Sequence, residues 1–207
     1  MKLVQTVAER FDRIVDVYSA IPIDGSISML TGSNGSGKSL IRRQLNFRDE
    51  LRNRTGNKVV HVSMSLRTQY HGVYNVFYRD TDWYPTSVNT INLIDAASKS
   101  VHGGYLVLDE IEVGCSEETL MGIVAWLNEN LRQRVKDTTV GCMVITHSRY
   151  VVEHLKFDNW FNLDGYETPE EWINRKVVPV DLEKLRKDSH ALFQLVTASG
   201  EKKKAKK

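Results

Sequence analysis

The sequence predicts an α/β fold in which a mostly parallel central sheet is flanked by helices. Three observations lead to this prediction: short apolar runs rich in β-branched residues, helical apolar patterns between them, and a glycine-rich loop where the first run meets a helix. Apolar runs without polar alternation are typical of strands that are buried on both faces. Their alternation with helices is typical of α/β proteins with a parallel sheet.

The predicted elements follow this pattern along the chain. The first is ambiguous, because residues 7–18 place apolar side chains at helical spacing, whereas 13–23 could also form strands. We expect a helix there. The four predicted strands span 26–31, 58–64, 104–109 and 139–146. The other predicted helices span 40–54, 90–101, 116–135, 169–175 and 181–196.

The composition indicates one domain with a basic tail. The 207 residues are 41% hydrophobic and 26% charged, which suits one substantial core. We expect residues 1–198 to form a single domain and 199–207 to be a disordered, lysine-rich tail. The formal net charge of the chain is +2, but residues 201–207 alone contribute +4, so the rest of the chain has a net charge of −2. The net charge therefore does not indicate a nucleic-acid-binding face, although a local patch or the tail could contact phosphate.

The sequence has no pattern typical of a membrane or secreted protein. Its apolar runs are far shorter than the ~20 residues of a membrane span, and the first residues do not form a secretory signal. We therefore expect a cytoplasmic protein without a membrane partner. Cys115 and Cys142 are too few for a disulfide framework or a zinc cluster, so we expect two free thiols.

Residues 32–39 read GSNGSGKS and fit the P-loop (Walker A) pattern G-x-x-x-x-G-K-[ST], between a predicted strand and a predicted helix. Glycines let successive N–H groups face an anion, and the helix N-terminus adds positive partial charge. Lys38 would reach the β- and γ-phosphates, and the Ser39 hydroxyl would bind Mg²⁺. A chance match is expected in only about 1% of chains of this length, so the loop predicts a nucleoside triphosphate site. The predicted phosphate-binding residues are Gly32, Ser33, Asn34, Gly35, Ser36, Gly37, Lys38 and Ser39.

Three polar residues follow later strands. Asp109, 71 positions after Lys38, and Glu110 end the run YLVLDE, and His147 follows the last predicted strand. Ligands of open α/β sheets bind beside the carboxyl ends of parallel strands, where all three residues would lie. One carboxylate there can organise Mg²⁺, and a second that points differently can polarise an attacking water. The acid pair therefore favours hydrolysis over phosphoryl transfer to a metabolite.

The order GSNGSGKS, apolar-LDE, apolar-TH over residues 26–150 resembles the ATPase domain of the ABC superfamily. The stretch LDEIEVGCSEE is similar to small stand-alone AAA-type predicted ATPases of that clan. The resemblance implies ATP and Mg²⁺ as ligands and an ATP-sandwich dimer. In that dimer Asp109 helps to organise Mg²⁺, Glu110 activates water and His147 senses the γ-phosphate. Gln69, in SLRTQY, resembles the glutamine that links Mg²⁺ and the attacking water to a partner.

The sequence also departs from that family. The signature L-S-G-G-Q is missing, and the nearest candidate is TSVNT, whose Ser87 lies 22 positions before Asp109. Ser87 would offer the dipole of the following helix to the γ-phosphate across a dimer, or would be an ordinary helix cap. Larger residues replace the glycines of the signature and could hinder close approach of that backbone. Ser116 is expected to cap the helix after the acid pair.

The sequence thus predicts a Mg²⁺-dependent ATPase of ABC type that acts as a conformational switch for a partner, with nucleic-acid processing among its candidate roles. We expect an ATP-dependent homodimer or a heteromeric protein partner. The short span between the P-loop and the acid pair argues against a transporter subunit and against long coiled-coil arms. Two alternatives stay open: an ATP-binding regulatory module that hydrolyses little, and, less favoured, a small-molecule P-loop kinase.

Recognition of the nucleobase is poorly indicated by the sequence. Phe11 and Tyr18 are only weak candidates to stack on adenine, so the preference for ATP over GTP rests on the resemblance. An aromatic cluster over 70–84 could be a partner-docking or base-stacking surface, or a small packed lobe.

Overall fold

The computed structural model describes residues 6–46, 48, 59–63 and 86–204. The strands in these ranges are β1 (Ile27–Thr31), β2 (Val59–Ser63), β3 (Gly104–Asp109), β4 (Thr139–Ile145) and β5 (Asn159–Asn162). The helices are α1 (Val7–Ala20), α2 (Lys38–Leu45), α3 (Thr86–Ser100), α4 (Glu117–Thr138), α5 (Arg149–His154), α6 (Pro169–Asn174) and α7 (Leu182–Lys204).

The strands form one sheet in the order β2-β3-β4-β1-β5, and every pairing is parallel. Leu30 lies opposite Ile145, and Leu108 lies opposite Val144. The strand β4 therefore separates β1, which leads into the glycine-rich loop, from β3, which ends at Asp109. This architecture confirms the predicted α/β fold class and is consistent with a P-loop NTPase-like fold.

Alternate residues of the strands contribute to two hydrophobic clusters on opposite faces of the sheet. Leu106 and Leu108 belong to the cluster that includes side chains of α3 and α4. Tyr105 and Val107 belong to the cluster that includes side chains of α1 and α2. Burying one large apolar side chain contributes ~1.5–3 kcal/mol, so a sheet with helices on both faces gains from an apolar residue at every position. The strand sequences therefore do not alternate between apolar and polar residues.

The ambiguous first segment is a helix, and the strand alternative is wrong. A capping box starts it: Thr6 Oγ1 accepts the Glu9 N–H at 3.1 Å, and Glu9 Oε2 accepts the Thr6 N–H at 3.0 Å. Ile14 and Val17 are buried in the second cluster. Val15, which also fits the helical spacing, is 46% exposed. The buried face of α1 therefore runs along Ile14 and Val17.

The four predicted strands are confirmed to within one residue at each end, but two short elements were not predicted. The edge strand β5 has four residues with asparagine at both ends, and α5 has six residues. Such short segments give no readable apolar period. The predicted helix 40–54 corresponds to α2, which begins at Lys38 and ends at Leu45, and the predicted part over 49–54 lies outside the described residues.

The helix starts show one error and one confirmation. The helix α3 begins at Thr86, so Ser87 lies in its first turn and does not precede the helix as a cap. Ser116 caps α4 as predicted, and its Oγ accepts the Thr119 N–H at 3.3 Å. The helix α7 continues through residue 198 to Lys204, and the division into a domain and a tail stays a prediction.

Cys115 and Cys142 are free thiols, as predicted. Burial raises the pKa of the Cys142 thiol. Within the described part of the chain, no helix combines the length and the apolar character needed to cross a bilayer.

Candidate functional site

The glycine-rich loop joins the end of β1 to the start of α2 and requires glycine at two positions. Gly35 has a φ of +77° and Gly37 a φ of +108°, both in the left-handed region that side chains disfavour. A Cβ atom at Gly37 would lie 2.3 Å from Ile14 Cδ1, and one at Gly35 would lie 2.7 Å from Ser189 Oγ. The backbone of the loop is therefore curled and closely packed from outside by other elements.

Lys38 is the first residue of α2, and it is only 7% exposed. Its Nζ donates to the carbonyl oxygens of Gly32 at 2.8 Å and of Ser33 at 3.0 Å. Burial lowers the pKa of this amine to about 8, while Asp164 and carboxylates near the ends of the strands act in the opposite direction. The amine thus lies inside the curl of the loop, and an anion bound beside it would raise its pKa again.

A carboxylate that the sequence analysis missed supports the loop. Asp164, which follows β5, accepts the Ser33 N–H at 2.8 Å and the Ser33 hydroxyl at 2.8 Å. Arg175, at the end of α6, donates to Asp164 Oδ2 at 3.1 Å and 3.2 Å. Because both donors of Ser33 are used by Asp164, the predicted phosphate contact of Ser33 stays a prediction. The loop is tied through Asp164 to the C-terminal part of the chain.

Asp109 ends β3 and is paired with a cation. Arg42 of α2 donates through its NH1 to Asp109 Oδ2, and the Ser63 hydroxyl donates to the same oxygen at 3.2 Å. Burial raises the pKa of Asp109, and the positive charge of Arg42 opposes that shift. A carboxylate at this position is a suitable ligand for a hard cation.

Glu110 follows Asp109 with a left-handed backbone, at a φ of +54°. Its N–H donates to the carbonyl oxygen of Ile145 at 2.9 Å, which fixes it beside the end of β4. The distance from Glu110 Oε1 to His147 Nε2 is 3.5 Å. A left-handed conformation costs a residue with a side chain about 1–2 kcal/mol. Here it interrupts the strand directly after Asp109, so the two neighbouring carboxylates differ in direction and surroundings.

His147 is held by a second acid that the sequence analysis missed. Glu112 Oε1 accepts both the His147 N–H and the Thr146 hydroxyl at 2.8 Å. Burial raises the pKa of Glu112, and these hydrogen bonds oppose that shift. Burial, helped by the positive charge of Lys38, lowers the pKa of the His147 ring. The neutral imidazole is therefore favoured near neutral pH, with its Nε2 directed at Glu110.

A cavity of about 300 Å³ brings most of these groups together. Lys38, Glu110 and His147 all line it. Its wall also includes residues of the C-terminal helix α7, which no sequence pattern indicated. The sequence-predicted residues that line it are Asn34, Gly35, Gly37, Lys38, Ser39, Glu110 and His147.

The remaining predicted residues lie elsewhere or outside the described part. Gly32, Ser33 and Ser36 belong to the loop but do not line the cavity, and neither does Asp109. The side chain of Ser87 lies outside the described part. Gln69 and the aromatic cluster over 70–84 lie outside the described residues. Their predicted roles therefore stay predictions.

The loop offers donors that fit a polyphosphate. Besides the buried amine of Lys38, Ser36 Oγ is buried and has no hydrogen-bond partner among the described residues. Within those residues no group of three or more His, Cys, Asp or Glu side chains is arranged to hold a metal ion. Mg²⁺ on a nucleotide typically needs only one or two protein oxygens besides phosphate and water. Ser39 and Asp109 are donors of that type, so their chemistry fits.

No protein-family model matches this sequence, and no curated protein is significantly similar to it. Among solved structures, the chain is similar to C. elegans PCH-2, with 12% sequence identity and a TM-score of 0.39. The match covers 75% of this chain and 41% of that chain, so this chain spans less than half of that protein's length. A likeness at this level carries no inference about function. The fold assignment rests on the strand order and the glycine-rich loop, and the ABC-type family stays a prediction.

Proposed function

We propose that this protein binds ATP with Mg²⁺, hydrolyses it, and uses the cycle as a conformational switch for a partner. The observation that carries the proposal is the cavity in which the buried amine of Lys38, the carboxylate of Glu110 and the ring of His147 meet at the glycine-rich loop. The loop with Lys38 would hold the phosphates, and Glu110 and His147 would act at the terminal phosphate.

Phosphate binding is proposed for the loop and α2. The curled backbone and the N-terminus of α2 present N–H groups and positive partial charge, and Lys38 adds a full charge once an anion raises its pKa. Asp164 and Arg175 hold the loop from outside through Ser33. Mg²⁺, held by Ser39 and Asp109, would neutralise charge on the phosphates.

The hydrolytic step is proposed for Glu110. Its carboxylate would take a proton from the attacking water as general base. His147, 3.5 Å from that carboxylate, would orient it and contact the γ-phosphate. Glu112 acts behind His147 as a positioning residue, because it holds the backbone N–H of His147.

The proposed switch role requires a partner. The partner would be a second copy of the chain in an ATP-dependent homodimer, with Ser87 reaching across, or another protein in a heteromer. We do not propose a transporter subunit. The alternative is an ATP-binding module with little hydrolysis, for which the absence of the L-S-G-G-Q signature is the supporting observation.

Steady-state phosphate release and ATP binding, measured on the same proteins, test the proposal. Wild type should release phosphate in the presence of Mg²⁺. Glu110→Gln should bind ATP but lose at least 100-fold in rate, as expected for removal of a general base (roughly 10²–10⁴). Glu153→Gln, on the exposed surface of α5, is the matched control and should behave as wild type.

Two outcomes would contradict the proposed hydrolysis, and a third would remove the homodimer form of the switch. Equal, slow rates for wild type and Glu110→Gln with intact ATP binding would favour the regulatory module. Transfer of radiolabel from ATP to a metabolite would favour a kinase. Light scattering of Glu110→Gln that shows a monomer both with and without Mg²⁺-ATP would remove the homodimer mechanism.

A further inference from the structure

The C-terminal helix α7 packs directly on the glycine-rich loop. A Cβ atom at Gly35 would lie 2.8 Å from Leu185 Cδ1 as well as close to Ser189, and one at Gly37 would lie 3.9 Å from Leu192 Cδ2. Leu192 is only 7% exposed and belongs to the same hydrophobic cluster as α1. The helix α7 is therefore a fixed wall of the site.

An ion pair also ties α7 to α1. Arg10 NH1 lies 3.3 Å from Asp188 Oδ2, one turn before Leu192 along α7. The wall that α7 presents to the cavity consists of Ser189, Leu192 and Phe193. Phe193 lines the cavity and is 65% exposed, so much of its side chain is accessible to solvent.

Phe193 contributes the aromatic ring among the described side chains that line the cavity. The two aromatic candidates from the sequence lie elsewhere. Phe11 and Tyr18 pack against the cluster beside α1 and α2, and the Tyr18 hydroxyl donates to the carbonyl oxygen of Gln44 at 3.3 Å. Neither ring lines the cavity.

The chemistry of the cavity orients a nucleotide within it. Under the proposed function, the terminal phosphate must lie beside Glu110 and His147, and Lys38 holds the phosphates. The nucleoside end must then leave that part of the cavity. The apolar side chains that remain on its wall are Leu40, Leu192 and Phe193, and a nucleobase is the part of a nucleotide that gains from such contacts.

We infer that Phe193 is the nucleobase platform of this site, and that α7 is an integral part of the nucleotide pocket. The inference rests on the proposed function and adds the residue that recognises the base. Stacking uses the π-face that every base has, so Phe193 should serve adenine and guanine about equally. Replacing such a ring by alanine typically weakens binding by about 5- to 150-fold.

The test compares a nucleotide with a ligand that has phosphates but no base. Binding of a non-hydrolysable ATP analogue and of inorganic tripolyphosphate, each with Mg²⁺, is measured by calorimetry on the full chain. Phe193→Ala should weaken analogue binding by about 5- to 150-fold and change tripolyphosphate binding less than twofold. Phe193→Tyr should bind both ligands as wild type does. Leu195→Ala, on the same helix and 41% exposed but outside the cavity, is the matched control and should also bind both normally.

Each failure has its own signature. If Phe193→Ala binds the analogue as tightly as Leu195→Ala does, the inference is wrong while ATP binding stands. If Phe193→Ala changes the affinity for both ligands by the same factor, the ring acts on the loop and not on the base, which also overturns it. If wild type binds neither ligand, the proposed function fails and the inference fails with it. Circular dichroism and thermal unfolding confirm that each variant is folded.

Discussion

Replacing Lys38 by methionine should change how folding stability depends on pH. Burial lowers the pKa of Lys38 from 10.5 to about 8 in the folded protein. Between these values the unfolded chain binds more protons than the folded one, so the free energy of unfolding rises with pH. Below pH 8 the amine is charged in both states, and the full cost of burying that charge is present.

The magnitude follows from the two pKa values. A lowering of about 2.5 pH units corresponds to ~3 kcal/mol at low pH. Of this penalty, ~2 kcal/mol is relieved between pH 7 and pH 9.5. Wild type should therefore gain ~2 kcal/mol over this interval relative to Lys38→Met, whose side chain is uncharged and similar in length. Other titrating groups are common to both proteins and cancel in the difference.

Urea unfolding at pH 7, 8 and 9.5, without nucleotide, measures this difference. Lys156→Met is the matched control, because Lys156 is exposed between α5 and β5, and its difference from wild type should be flat with pH. A flat difference for Lys38→Met as well would refute the reasoning, since the amine would then be as well solvated in the folded protein as in the unfolded chain.

Three further predictions concern the loop and the end of β3. In urea unfolding, Gly37→Ala should lose ~1–3 kcal/mol more stability than Gly103→Ala. Both glycines have a left-handed φ, but only at Gly37 would the added Cβ atom lie within 4 Å of another side chain. Equal losses would contradict this prediction. By thermal unfolding, Glu110→Gly should be about 1 kcal/mol more stable than Glu110→Ala, because the φ of +54° at this position is left-handed and strains any residue except glycine. The reverse order would show that residue 110 does not have a left-handed backbone in solution. Arg42→Ala should cost about 3 kcal/mol in urea unfolding by leaving the buried Asp109 carboxylate without its cation; a loss under 0.5 kcal/mol, typical of a surface change, would show that the pair is solvated.

The predictable part of the site was local in sequence. The loop of residues 32–39 has a pattern whose chemistry depends on adjacent residues. Asp109, Glu110 and His147 each lie at or just past the end of a strongly apolar strand. Once the strands are parallel, their ends must meet at one edge of the sheet. The sequence therefore predicted which residues approach each other, and the structure places Lys38, Glu110 and His147 around one cavity.

The unpredicted part depends on contacts between distant segments. Asp164 reaches Ser33, 131 residues away in the chain, only because β5 pairs with β1, and β5 is too short to be recognised from its own residues. Glu112 lies in a turn after β3, and its partner His147 comes from another strand. Phe193 follows no motif, and its place in the cavity depends on how α7 packs on α1 and the loop.

The position of β4 has a consequence for the charges of the site. Neighbouring strands are about 4.8 Å apart, so an intervening strand sets the ends of β1 and β3 about 10 Å from each other. Among the described residues, the amine of Lys38 does not form an ion pair with Asp109 or Glu110; it binds loop carbonyl oxygens instead. Arg42 of α2 pairs with Asp109 instead, so the opposite charges of Lys38 and Glu110 lie at one sheet edge without pairing with each other.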